Sequence, residues 1–248
     1  MRIVKKYLLR VHELIFRKIY RKIFDELLVS VRRDNLLRFG NKNDGGYVID
    51  VSSKYDNLLS FGIAQDISFE LDFVDHYPES KLFCYDPSIE GLPGDLKNAN
   101  FFKIGIAKKT TKNYKTLDDI LKTQKINKSV TNFIKMDIEG YEWEVIEHSF
   151  DDLISFDNLV MEIHFYERPP KLIFLFPFTL YKRLKLIRKL KNHFDIYNVH
   201  FNNGPRIIKY SNFNFPECVE VSFLNKRPSI LNSLNNPNNH NKEDIQRF

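Results

Sequence analysis

The sequence predicts an α/β protein with a Rossmann-like, largely parallel sheet covered by helices on both faces. Three observations predict it. Short apolar runs alternate with helical patterns from residue 57 onward, which is how successive βαβ crossovers read. Turn signals (Gly62, Asp86-Pro87 and Gly140) fall where those apolar runs end. The chain has 248 residues, 43% hydrophobic and 28% charged, enough to bury the core of one domain with appendages.

Residues 3–31 read as a helix. Ile3, Val4, Leu8, Val11, Ile15, Ile19, Ile23 and Leu27 recur mostly at three- and four-residue steps, with Arg and Lys on much of the other face. Such a helix packs on the domain or on a partner chain, or else lies on a membrane surface. Asp44-Gly45-Gly46 then marks a turn that opens a hairpin. Strands are predicted at 57–63, 81–85, 101–106, 132–136, 158–165, 196–201 and 219–224. Helices are predicted at 66–76, 117–122, 141–148 and 178–194. The resulting organisation is a basic helical extension over 1–35, a domain over 36–225, and a polar tail over 226–248. The tail is rich in Asn, Pro, Ser and Lys, lacks apolar periodicity and is expected to be disordered.

The net charge of +6 is unevenly placed. Residues 1–34 hold ten Lys/Arg against four Asp/Glu, which accounts for all of it. Residues 171–194 hold seven Lys/Arg and no acid. Such patches suit nucleic acid or an anionic membrane surface. No nucleic-acid module is recognisable, so no nucleic acid is expected. Two cysteines, Cys84 and Cys218, make neither a disulfide framework nor, alone, a structural zinc site. No signal-like apolar core and no run of about 20 apolar residues is present. A cytoplasmic protein is expected, with peripheral contact to the inner face of the membrane through 1–34 and 171–194. Homo-oligomer formation is left open.

Three segments carry chemistry. In Ser60-Phe61-Gly62-Ile63-Ala64-Gln65-Asp66, a glycine at a strand end lets a ligand approach the backbone, and the next helix offers free N–H groups. In Tyr85-Asp86-Pro87-Ser88, a carboxylate ends the following strand, the place of a ribose acceptor in such folds. In Lys135-Met136-Asp137-Ile138-Glu139-Gly140, two acids alternate with apolar residues where a buried strand runs out. Buried carboxylates are costly unless paired or bound to something, so Asp137 and Glu139 need a reason. Glu142 and Glu144 sit in the first turn of the next helix, where they favour its dipole.

The stretch KMDIEGYEWEVIE resembles the hallmark of the FkbM-type methyltransferases. Further segments are similar to the same family in the same order: DGGYVI, SFGIAQDISFE, YDPS, TLDDIL, MEIHF, VHFNNG and VEVSFLN, together spanning roughly 40–225. The resemblance implies a class I methyltransferase sheet, S-adenosylmethionine as cofactor, and O-methylation of a sugar or glycan acceptor, which could be lipid-linked. It also implies roles. Gly62 would face the methionine part of the cofactor, Gln65 and Asp66 would lie beside it, and Asp86 would hold the ribose. Asp137 would lie near the sulfonium or the acceptor.

The chemistry is direct displacement, in which alignment matters most and a base helps because a sugar hydroxyl has a high pKa. The base is expected to be a histidine, His164 before His200, or a carboxylate, with Asp137 also expected to be catalytic. Glu139, Asn202 and Asn203 are expected to bind the acceptor. Asp137, Glu139, Glu162 and His164 also form an oxygen-rich set able to hold a divalent cation such as magnesium or manganese, without metal dependence being assigned. The competing readings are a Rossmann-type oxidoreductase, disfavoured because G-x-G-x-x-G is absent, and a non-catalytic relative that binds glycan or membrane.

Overall fold

The computed structural model describes residues 2–42, 45–165, 176–201, 207–210 and 213–227. In chain order, α1 (Arg2–Glu26) precedes a hairpin of β1 (Leu36–Phe39) and β2 (Tyr47–Asp50). Then come β3 (Asn57–Phe61), α2 (Ser68–His76), β4 (Lys81–Tyr85) and β5 (Ala99–Phe102). A small excursion holds β6 (Gly105–Ile106) and β7 (Tyr114–Lys115), followed by α3 (Leu117–Thr123) and β8 (Asn132–Met136). Next are α4 (Glu142–His148), α5 (Phe150–Leu153), β9 (Asn158–His164) and α6 (Phe176–His193). The chain closes with β10 (Phe194–His200), β11 (Ile207–Tyr210), β12 (Phe213–Pro216) and β13 (Cys218–Asn225).

Seven strands form one sheet in the order β10-β13-β9-β8-β3-β4-β5. The strands from β9 through β5 run parallel, and β13 is inserted antiparallel between β9 and β10. From β3 the chain builds outward through β4 to β5, then returns to place β8 on the other side of β3. That reversal opens a crevice at the carboxyl ends of β3 and β8.

Strand periodicity sorts the core into two layers. Leu59 and Phe61 of β3, Ile134 and Met136 of β8, and Leu159, Met161 and Ile163 of β9 face a layer shared with α1, α3, α4, α5 and α6. Leu58, Phe133 and Val160 face the other way, against α2 and the β1–β2 hairpin. Burial on both faces explains why these strands read as continuous apolar runs.

Two expectations change in detail. The strand expected over 101–106 is two: β5 ends at Phe102, and Gly105–Ile106 leave the sheet to pair with Tyr114–Lys115. The buried face of α1 follows the aliphatic stripe only in part: Ile19, Ile23 and Leu27 pack inward, but aromatic residues join them and Ile15 does not. Ile15 is exposed, whereas Phe16, Tyr20, Ile23 and Leu27 are buried. The aromatic rings decide this. Phe16 and Tyr20 pack on Phe215, and Tyr20 and Phe24 on Phe165, with centroids 4.7–5.5 Å apart. Glu26 also binds Arg188 and Lys191 of α6. Phe16→Ala is therefore expected to cost about 3–5 kcal/mol. Denaturant unfolding checks this, and a cost under about 1 kcal/mol would mean that α1 is dispensable to the core. Among the described residues, no helix is long and apolar enough to cross a membrane. Asn202, Asn203 and nearly all of the predicted tail lie outside the described residues.

Candidate active site

A cavity of about 670 Å³ lies at the carboxyl ends of β3, β4 and β8. Gly62, Gln65, Asp66, Asp86, Asp137 and Glu139 all line it, so the crevice brings together six of the residues singled out from sequence. The size is that of a pocket for a nucleoside-sized ligand.

Its floor is the turn after β3. Gly62 has φ of +81°, and a Cβ there would lie 1.6 Å from the Asp137 carbonyl oxygen. Only glycine lets the turn press against the end of β8. Asp86 holds the turn from the side. Its Oδ2 accepts the backbone N–H groups of Ile63 and Ala64, both at 2.8 Å, and its Oδ1 accepts the N–H and hydroxyl of Ser88. Burial works against its charge, and those four bonds overcome it, leaving the carboxyl below the usual range. Asp66 accepts from Ser68 N–H at 2.8 Å in an Asx-type turn just before α2.

Beneath the turn lies a buried ionic group that sequence reading missed. Lys135 sits inside β8 on the face of Phe133, donates to the Gly62 carbonyl at 2.9 Å, and lies 3.4 Å from Glu70 Oε1 of α2. Ser60 donates to the same oxygen at 2.5 Å. Burial disfavours the ammonium, but Glu70 and then Asp137 outweigh it and raise its pKa. The available signal was a lone lysine in an apolar strand facing a lone acid in an apolar helix face.

Asp137 and Glu162 belong to the inner wall, and His164 lies behind the lining on the same sheet face as Glu162. Period-two alternation puts Asp137 on the face of Lys135, and Glu162 and His164 on the face of Val160. Strand register sets Cys218 opposite His164, and Glu220 opposite Glu162. His164 Nδ1 is bound by Glu142 Oε1 at 2.7 Å, while its Nε2 faces Glu162 Oε2 at 3.5 Å and Glu139 Oε2 at 3.7 Å. Trp143 Nε1 donates to the His164 carbonyl at 2.6 Å and pins that strand end. Tyr47 donates to Asp137 at 3.2 Å, and Cys218 to Glu162 at 2.7 Å.

The charges in this cluster shape one another. Burial and then the Asp137 charge push the Glu162 carboxyl well up. Burial opposes a charge on His164, but its bond to Glu142 and the surrounding carboxylates lift its pKa to about 10. His164 thus holds its proton at neutral pH. Glu142, expected to serve a helix dipole, is instead fully buried and orients this imidazole. Glu144 does stay at the surface, paired with Lys108. His200 is directed elsewhere: its Nδ1 binds Glu220 at 2.9 Å, and Glu220 also pairs with Arg38. Glu139 adopts φ of +55°, uncommon for a side-chain-bearing residue, and projects its carboxylate into solvent at the cavity rim.

A sheet of this order, with one antiparallel strand next to the edge, is the sheet of the class I methyltransferases. The chain belongs to the FkbM methyltransferase family, whose model, "Methyltransferase FkbM domain", matches residues 35–191. Among solved structures, it is similar to a precorrin-6y C5,15-methyltransferase from Geobacter metallireducens GS-15. That match has 11% identity and a TM-score of 0.39, covering 71% of this chain and 84% of the other. It is also similar to a methyltransferase FkbM from Methylobacillus flagellatus KT, at 15% identity and a TM-score of 0.38, covering 67% of this chain and 43% of the other. A fibrillarin/Nop5p complex gives 12% identity and a TM-score of 0.39, over 68% and 72%. These are distant likenesses. No curated protein matches the chain.

The cavity fits the cofactor of this class. The Gly62 turn and Asp86 at the end of β4 line it side by side. Tyr114 and Tyr141, stacked with centroids 6.3 Å apart, add an aromatic wall suited to a flat base.

Proposed function

We propose that the protein methylates a hydroxyl oxygen of a sugar or glycan. The observation that carries this reading is the inner wall, where Asp137, Glu162 and Glu139 put carboxylates beside the Gly62 turn. Carboxylate oxygens accept hydrogen bonds from several hydroxyls at once and can take a proton from one of them. S-adenosylmethionine, when bound, supplies a methyl group already activated on a sulfonium. Gly62 and the Asp86-held turn would seat it, with Gln65 and Asp66 at the same wall. His164 stays protonated and the Glu162 carboxyl is pushed up, so the hydroxyl proton passes to Asp137 within that pair, and the imidazolium offsets the negative charge of the surrounding carboxylates. Glu139 at the rim meets the acceptor from the solvent side.

Acceptor delivery from an anionic membrane belongs to the same proposal. The face of α1 left outside is basic, and Phe178 and Tyr181 of α6 stand exposed beside Lys182 and Lys185. That combination suits a lipid headgroup surface.

Calorimetric titration with S-adenosylmethionine tests the cofactor half. A single site is expected, weakened at least about tenfold, or roughly 1.4 kcal/mol, by Asp86→Ala, because the turn loses both N–H anchors. Methyl-labelled cofactor with a panel of sugars tests the acceptor half, and the label is expected in an alkali-stable ether. Label on nitrogen or carbon would sink the oxygen-acceptor reading. NAD binding in place of S-adenosylmethionine would overturn the cofactor.

A further inference from the structure

We propose that Asp137, Glu162 and His164 bind a divalent transition-metal ion, zinc or manganese, at the inner end of the cavity, with Glu139 closing its solvent side. The binding claim stands on geometry alone. What the ion does there rests on the O-methylation reading.

His164 is the centre of the site. Asp137, Glu139 and His164 each offer one ligand atom, all within 4.8 Å of one another, and so do Glu162, His164 and Cys218. Donors about 2.0–2.2 Å from a tetrahedrally bound ion stand roughly 3.3–3.6 Å apart. His164 Nε2 lies 3.5 Å from Glu162 Oε2 and 3.7 Å from Glu139 Oε2, long for hydrogen bonds and close to that spacing. The imidazole itself is more than nine-tenths buried, so this nitrogen is aimed at the cluster and not at solvent.

The independent sign is the layer behind the ligands. A metal-binding histidine gives its other ring nitrogen to a carboxylate or carbonyl, which fixes its orientation, and ligating carboxylates are themselves hydrogen-bonded. Each of the three ligands here has such a support. Glu142 holds His164 Nδ1 at 2.7 Å, Tyr47 holds Asp137 at 3.2 Å, and Cys218 holds Glu162 at 2.7 Å. Glu142 and Tyr47 are buried and come from different elements. A mere surface acid patch needs no such scaffolding. Two carboxylates with one imidazole suit borderline zinc, and manganese by its carboxylates, better than magnesium or calcium, which take oxygen ligands throughout. Bound there, the ion would displace the proton from His164 Nε2 into solvent, neutralise the buried carboxylates and acidify a hydroxyl that completes its coordination. Asp137 and Glu162 would then act as ligands, and activation of the hydroxyl would fall to the ion.

The test uses the full chain freed of metal by a chelator. Manganese is titrated in and followed by loss of the free-ion signal in electron paramagnetic resonance, and zinc is titrated by calorimetry. One ion per chain is expected, with magnesium and calcium competing poorly. Glu142→Gln keeps the side chain's shape and removes its charge. It is expected to weaken binding by about 10–100-fold, as loss of an outer partner does, and His164→Ala by more. Circular dichroism confirms that each variant is folded. Absence of one-site binding by the folded wild type overturns the proposal, as does binding untouched by both substitutions. S-adenosylmethionine is titrated separately with chelator present. Cofactor binding without ion binding removes the metal site and leaves the methyltransferase reading standing, and the reverse result separates the two the other way.

Discussion

Replacing Gly62 by alanine is expected to lower stability by about 2–5 kcal/mol, from left-handed backbone strain of about 1–2 and overpacking of about 1–3. For a domain of this size, that is a fall of roughly 4–20 °C in melting temperature. Cofactor binding should be lost with it. The reason is local and steric: the new Cβ meets the Asp137 carbonyl oxygen at 1.6 Å, and backbone cannot swing aside as a side chain would. Relief requires parting β3 from β8 at the point where the cavity opens. Gly91→Ala is the matched control, since a Cβ there meets nothing within 4 Å. Thermal unfolding and calorimetry on both variants decide the matter. A Gly62→Ala protein that melts and binds like Gly91→Ala would show that the turn does not press on β8.

Lys135→Met is expected to cost about 3–5 kcal/mol, the cost of leaving one member of a buried ion pair alone. That is roughly 6–20 °C in melting temperature. Glu70 would be left in the core with only Ser60 for support, and the Gly62 carbonyl would lose its donor. The double variant Lys135→Met/Glu70→Gln removes the stranded carboxyl and should recover much of the loss. If the double variant is instead as unstable as the sum of both single changes, the two residues are not energetically paired. The pH dependence has a definite sign. The folded-state pKa of Lys135 lies above the ordinary lysine value of 10.5, so its contribution is complete below that value. It is lost only as pH rises through the raised value. Stability from this pair should therefore be flat across neutral pH and fall only in strong alkali.

Much of the fold was legible because burial writes itself into local pattern. β4 and β8 fall on their predicted residues, since a strand covered on both faces is a bounded apolar run. The DIEG turn and Gly62 were legible for a related reason: polar or glycine residues interrupt such runs only where something other than packing needs them. The excursion after β5 was less so. Ile104 and Ile106 continue the apolar pattern, and only pairing with Tyr114–Lys115 reveals that the chain has left the sheet.

Sequence by itself determined the class of sheet, the glycine turn at the cavity floor and the presence of acids at two neighbouring strand ends. These are properties of single segments, set by periodicity and by what terminates it. Tertiary structure alone decided the partnerships. It placed Glu142 behind His164, Lys135 over Glu70, His200 on Glu220, and the aromatic face of α1 on Phe165 and Phe215. Each joins residues from separate elements, and the strength of a charge or a ring contact depends on distance and burial. Those quantities come into being only when the sheet brings its strand ends together.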